Sequence, residues 1–155
     1  FETARYQRVL DTVTKVSFYG KSVNTLSNND VRISKRLFMP SSKLRGFENG
    51  KIGPVENNDY IGGNYISAVN FSATLPKLLP SFQNMDLSLF VDAANVWGVD
   101  YDSAIDDNSK IRSSTGIAMD VLTPIGPLNF SLTQPITKSS TDKTESFRFN
   151  LGTTF

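Results

Sequence analysis

The sequence predicts an all-β fold, an antiparallel meander that forms part of a transmembrane β-barrel. Three observations point there. Period-two alternation recurs in segments of about ten residues, while helical periodicity is nearly absent. One face of each well-marked segment is mostly apolar, and the opposite face carries Asp, Arg, Asn and Ser. Every second connection is long, and transmembrane barrels likewise have short turns at one rim and longer loops at the other.

Seven segments are expected. The first runs from about Tyr6 to Tyr19, with Leu10, Thr12, Thr14, Val16 and Phe18 on one face. The second, weaker, spans Ser22 to Asn28, after a tight turn at Tyr19-Gly20-Lys21-Ser22. A patternless stretch covers residues 29–60. The third segment, Gly63 to Leu75, sets Tyr65, Val69, Phe71 and Leu75 against Asn64, Asn70, Ser72 and Thr74. The fourth, Met85 to Trp97, is the clearest: Leu87, Leu89, Val91 and Ala93 alternate with Asp86, Ser88, Phe90 and Asp92. The fifth, Lys110 to Leu122, opposes Ile111, Ile117, Met119 and Val121 to Arg112, Ser114, Gly116, Ala118 and Asp120. The sixth, Pro127 to Gln134, follows the tight Thr123–Pro127 turn. The last, Glu145 to Phe155, carries Phe147, Phe149, Leu151 and Phe155 on one face.

Alternation alone does not say which face is wet, and soluble β-sandwiches and lipocalin-like barrels alternate too. Two features favour the membrane: the polar face persists over several consecutive segments, and aromatic residues gather near segment ends (Phe18, Tyr19, Trp97, Phe155), as interfacial girdles require. No stretch approaches the roughly 18 consecutive apolar residues of a membrane helix. The balance of 16 Lys+Arg against 15 Asp+Glu argues against nucleic acid as a partner. Cysteine and histidine are both absent, which removes disulfides, thiolate chemistry, a Ser-His-Asp triad and histidine-based zinc sites. The expectation is a protein that is not an enzyme and holds no cofactor or metal. The chain begins at Phe1 without an initiator Met or a signal-peptide pattern, so a fragment of a longer chain is expected.

Three stretches in order carry a resemblance. Leu44-Arg45-Gly46-Phe47, followed by Ile52-Gly53-Pro54, lies inside the longest loop; Phe90 to Trp97 reads F-V-D-A-A-N-V-W; and Phe147 to Phe155 closes the chain, with Gly126-Pro127-Leu128 opening the segment before it. Together they resemble the BamA family of outer-membrane assembly factors, and the likeness extends from about Arg5 to Phe155. The resemblance implies a sixteen-stranded barrel of which residues 1–155 supply the last seven strands, with POTRA domains and early strands upstream. It implies residence in the bacterial outer membrane and a role in folding and inserting other outer-membrane proteins. Its partners would be unfolded barrel precursors, outer-membrane lipid and accessory lipoproteins. The rivals are a secretion transporter of the same superfamily, which shares the R-G-[FY] loop, a simple porin or channel, and a soluble ligand-binding barrel.

The resemblance also nominates residues. In that family the loop, here residues 29–60, folds inward and its Arg pairs with a strand Asp, which corresponds to Arg45 and Asp92. A guanidinium is always charged and its planar fork of donors suits a carboxylate. Gly46 permits a close approach or a positive φ, and Phe47 would pack the loop against the wall. The family often adds an acidic residue where this chain has Ser72, so the clamp is expected to rest on Asp92. The ending, with Phe147, Phe149, Leu151 and Phe155, resembles a C-terminal insertion signal, and Gly152 is expected to weaken the strand where a lateral seam would open. Arg112, Asp120 and Arg148 are expected as lumen-lining charges. Asp100, Asp102, Asp106 and Asp107 are expected to form an exposed acidic loop, since a D-x-D pattern without the Gly and Glu of an EF-hand does not make a calcium site.

Overall fold

The computed structural model describes residues 1–9, 11–26, 30–75, 84–106 and 110–152. Nine strands occur among them: β1 (Glu2–Val9), β2 (Thr12–Ser22), β3 (Val55–Glu56), β4 (Asp59–Tyr60), β5 (Tyr65–Thr74), β6 (Met85–Trp97), β7 (Arg112–Thr123), β8 (Gly126–Thr137) and β9 (Phe147–Leu151). Seven make one antiparallel sheet in the order β1-β2-β5-β6-β7-β8-β9, so sequence neighbours are spatial neighbours except where the long loop intervenes. The short β3–β4 hairpin lies within that loop, and a 3-10 turn forms at Ile33–Lys35.

The strand count agrees with the sequence reading, but its first two members are placed differently. The expected strand from Tyr6 to Tyr19 is a hairpin, in which Val9 pairs with Thr12 and Glu2 with Tyr19. Nothing like Asn-Gly marks this two-residue turn, and such a dipeptide is the usual cue; Leu10 itself lies outside the described residues. The expected turn at Tyr19–Ser22 is instead the end of β2. There Gly20 exchanges backbone hydrogen bonds with Phe1, and a side chain on it would crowd the Phe18 ring. The Ser22–Asn28 segment is not a strand where it is described: β2 ends at Ser22, and residues 23–26 form no ladder. The other five strands fall where alternation put them, with ends shifted by a few residues.

The two faces separate as period-two geometry requires. Outward rows run across the sheet through Val16, Phe71 and Val91, and through Leu89, Ile117, Leu132 and Phe147. All of these apolar side chains are exposed. At the long-loop rim Tyr65 and Trp97 stack at 5.8 Å. The inward face is polar towards the tight turns and apolar towards the long loops. On its apolar half the long loop lies down, burying Leu37, Met39, Leu44, Phe47 and Ile52 against Ile66, Ala68, Ala94 and Val96. The core of the described chain is therefore loop on sheet rather than sheet on sheet. Apolar burial of this kind stabilises by roughly 1.5–3 kcal/mol per large side chain.

Candidate functional site

The inward polar row begins at Ser17 and passes in register through Asn70 and Asp92 to Ser114, one residue from each of four neighbouring strands. Alternation puts each of them on the inner face, and the tight pairing aligns them. The turn Ser41–Phe47 sits on this row. Arg45 donates from Nε to Asp92 Oδ2 (2.7 Å), from Nη2 to Asp92 Oδ1 (2.8 Å) and from its backbone N–H to Oδ2 (3.1 Å). Asn70 Nδ2 also donates to Asp92 Oδ1, at 2.9 Å, and to the Lys43 carbonyl, at 2.7 Å. Asp92 is 0% exposed, so four N–H donors take the place of its lost hydration. A buried carboxylate is tolerated only under such saturation. The gross attraction of one such pair is on the order of 4 kcal/mol, and desolvation cancels part of it.

The rest of the turn is held by the strands that follow. The Arg45 guanidinium lies 3.5 Å above the Phe90 ring centre, a cation–π contact at a partly buried site. Ser114 Oγ donates to the Arg45 carbonyl at 2.5 Å. Gly46 has φ +86°, and a Cβ there would stand 2.9 Å from Thr133 Cγ2. Both glycine properties expected from the sequence are thus in use at one residue. Phe47 is 2% exposed and belongs to the loop-on-sheet core. On β9, Arg148 donates from Nη1 to the Ser41 carbonyl (3.0 Å) and from Nη2 to the Phe47 carbonyl (2.7 Å), and its other donors meet Glu145. Lys43 pairs with Glu2 on β1.

Arg112 and Asp142 form a second buried pair, both 0% exposed. Nε and Nη2 of Arg112 donate bidentately to Asp142 at 2.9 and 3.0 Å, while Nη1 reaches Asn95 Oδ1 and the Lys110 carbonyl. Sequence reasoning placed Arg112 in the lumen but offered no partner, because Asp142 sits in a polar loop with no period to assign it a face. Asn70 and Ser114 were likewise placed on the inner face without a role. Their signal was register with Asp92, which needs the strand offsets. Asp120 accepts from Asn129 at 2.5 Å and helps line a polar cavity of about 520 Å³, together with Ser72, Ser88, Ser131, Arg148 and Asn150.

The acidic loop is more structured than expected. Asp100 and Asp102 are exposed, yet Asp100 accepts from Asn64 Nδ2 (2.6 Å) and the Val31 N–H, and Asp106 accepts from the Gly98 N–H (2.7 Å). These carboxylates brace loop backbone, and no metal-binding cluster occurs among the described residues. Tyr101 donates to Glu56 at 2.7 Å, and that bond, more than burial, raises its phenol above the ordinary value of 10.0. Asp107 lies outside the described residues.

At the other candidate site, Phe147, Phe149 and Leu151 face outward and are exposed, with Phe149 packed on Phe130 at 5.1 Å between ring centres. The strand ends at Leu151, and Gly152 turns away with φ +110°. Its N–H is still bonded to the Pro127 carbonyl. Phe155 lies outside the described residues.

Comparison with known proteins bears on the family and the fold. The Omp85 superfamily domain matches residues 2–155. The chain is 34% identical over 145 residues to the outer membrane protein assembly factor BamA of Neisseria meningitidis serogroup B, covering 72% of this chain and 17% of that protein. It is 26% identical over 160 residues to the BamA of Neorickettsia risticii, covering 100% of this chain and 21% of that one. The crystal structure of BamA from Haemophilus ducreyi lacking POTRA domains 1-3 superposes with a TM-score of 0.81 at 28% identity, over 96% of this chain and 33% of that one. The chain thus spans about a fifth of the length of these curated relatives. With a family match that runs from β1 to the terminus and a fold shared with a solved relative, the chain belongs to the Omp85 superfamily.

Proposed function

We propose that residues 1–155 are the C-terminal part of a transmembrane barrel domain in a bacterial outer-membrane assembly factor, which folds and inserts other barrel proteins. One observation carries the reading. The Ser41–Phe47 turn covers the polar face of successive strands, while the opposite face presents exposed apolar rows. A face of that composition belongs in lipid, where every backbone group must be paired within the sheet. A lumen carrying a pinned loop argues against a simple porin. The relatives' names favour assembly over secretion.

The mechanism involves no covalent chemistry and no cofactor. β9 is an edge of the described sheet and pairs with β8 over only five positions, Leu132–Phe147 to Leu128–Leu151. An unpaired strand edge is a template for another strand. A seam between β9 and the strand that closes the barrel would expose that edge to an incoming precursor. The Arg45–Asp92 clamp holds the loop over the strands that precede the seam. Unfolded barrel precursors, outer-membrane lipid and accessory lipoproteins are the partners this reading requires.

The test uses the full-length protein in lipid vesicles, with a disulfide engineered between β9 and the strand that closes the barrel against it. Insertion of a urea-denatured barrel precursor is expected to stop when the bond is oxidised and to resume on reduction. Full insertion with the seam locked would reject the gate. A large, steady conductance in planar bilayers would instead favour a channel.

A further inference from the structure

We infer that Arg148 is a positioning residue that couples the docked turn to the terminal strand: undocking the turn loosens β9, and separating β9 undocks the turn. The turn is gripped from two directions. Asp92 on β6 holds its middle through Arg45, and Arg148 on β9 holds both of its ends through the Ser41 and Phe47 carbonyls. These grips lie three strands apart in the sheet.

A guanidinium suits this task because its donors are fixed in one plane and can reach two acceptors at once, which a lysine ammonium on a flexible stem does not reproduce. Glu145 takes the remaining donors, and the Arg148 side chain is only 12% exposed. The fork is therefore oriented from behind and mostly buried.

The segment leading into β9 adds backbone bonds to the same turn and to the residues just after it. The Glu145 N–H donates to the Gly46 carbonyl (3.0 Å), Phe47 bridges Thr144, the Glu48 N–H donates to the Lys143 carbonyl (3.0 Å), and the Lys143 N–H donates to the Lys51 carbonyl (3.1 Å). Against these stands the β8–β9 ladder of five residue pairs, extended at its ends by the Thr133 N–H to the Ser146 carbonyl and the Gly152 N–H to the Pro127 carbonyl, where β6 and β7 share ten pairs. Part of what positions β9 thus comes from the turn. When two elements share bonds that neither can keep alone, a change at one must bias the other, and the coupling is reciprocal. The consequence for client insertion rests on the assembly reading; the coupling itself does not.

The experiment measures both directions in the full-length protein in vesicles, with heat-modifiable gel mobility as the check that the barrel has folded. Asp92→Asn touches no residue of β9. It is expected to raise hydrogen exchange of the β9 amides roughly tenfold, and to add nothing further in an Arg148→Gln background. Arg148→Gln is expected to open residues 41–51 to protease by a similar factor while the Arg45–Asp92 pair is left in place. If Asp92→Asn exposes the turn but leaves β9 exchange unchanged, the coupling is wrong. If the Asp92 variant does not fold, the Arg148→Gln arm decides, and unchanged cleavage of the turn overturns the proposal. Failure of wild-type protein to insert clients, with both couplings present, would sink the assembly reading alone.

Discussion

β6 and β9 are written in the same alphabet and held in different ways. Both alternate outward apolar residues with inward polar ones, and both present an inward charge to the long loop. β6 is a thirteen-residue strand paired on both sides, and its charge, Asp92, is fully buried under four N–H donors. β9 has five residues and one paired side, and its charge, Arg148, divides its bonds between two loop carbonyls and the neighbouring Glu145. The difference teaches that one loop serves as an anchor at β6 and as a tether at β9. A buried carboxylate met by four donors is costly to uncover, while a short ladder with a few tethering bonds sits near the low end of local stability.

The sharpest way to break the comparison is to remove the anchor. Asp92→Ala leaves Arg45 and Asn70 without their shared acceptor, and losing one partner of a buried pair costs about 3–5 kcal/mol. Urea unfolding of the full-length protein in lipid should register this loss, and protease should cut the released loop; unchanged loop protection would remove the anchor. Next comes Gly46→Ala. The positive φ and the Cβ contact with Thr133 together are expected to cost about 2 kcal/mol. Adding Thr133→Ser should recover part of it, because it removes the clashing methyl and leaves the backbone strain.

A matched pair of outward substitutions sharpens the contrast further. Tyr65→Leu beside β6 and Phe149→Leu on β9 each lose an aromatic contact, about 1 kcal/mol apiece. Hydrogen exchange should rise in β9 for the second and stay low in β6 for the first. Equal responses would mean the two strands are held alike. The smallest effect is expected at Tyr101→Phe, which removes the bond to Glu56 in the exposed loop, on the order of 0.5 kcal/mol. Because the folded phenol titrates above its ordinary value of 10.0, the bond's contribution is complete below that pH and fades as pH rises through the higher folded value. The variant should lack that alkaline step in its melting profile, and a step that persists would assign it to another group.

Where sequence reasoning erred, the cause is physical. Tyr6–Tyr19 reads as one strand because its two-residue turn lacks the Gly or Asn that marks a sharp reversal. Gly20 drew a turn to itself although its service is to leave room on the outer face beside Phe18. The Asp142 partner of Arg112 was invisible because a loop has no period, so nothing in the chain says which way an isolated aspartate points. The acidic loop is exposed at Asp100 and Asp102, as expected, but the backbone bonds that Asp100 and Asp106 accept depend on loops that meet only after folding.

Alternation and connection length alone determined the all-β meander, five of its strands and which side chains share a face, because a strand's side-chain period is two and is written residue by residue. They also set Asp92 and Arg148 on the inner face and left the R-G-F stretch in a long loop. Only the tertiary structure decided that Ser17, Asn70, Asp92 and Ser114 form one row, and that Arg45 meets its middle while Arg148 closes on the ends of the same turn. Register depends on turn geometry that a local pattern leaves open, and the docking of a loop depends on burying its apolar residues and satisfying its carbonyls against a surface that exists only once the strands are side by side.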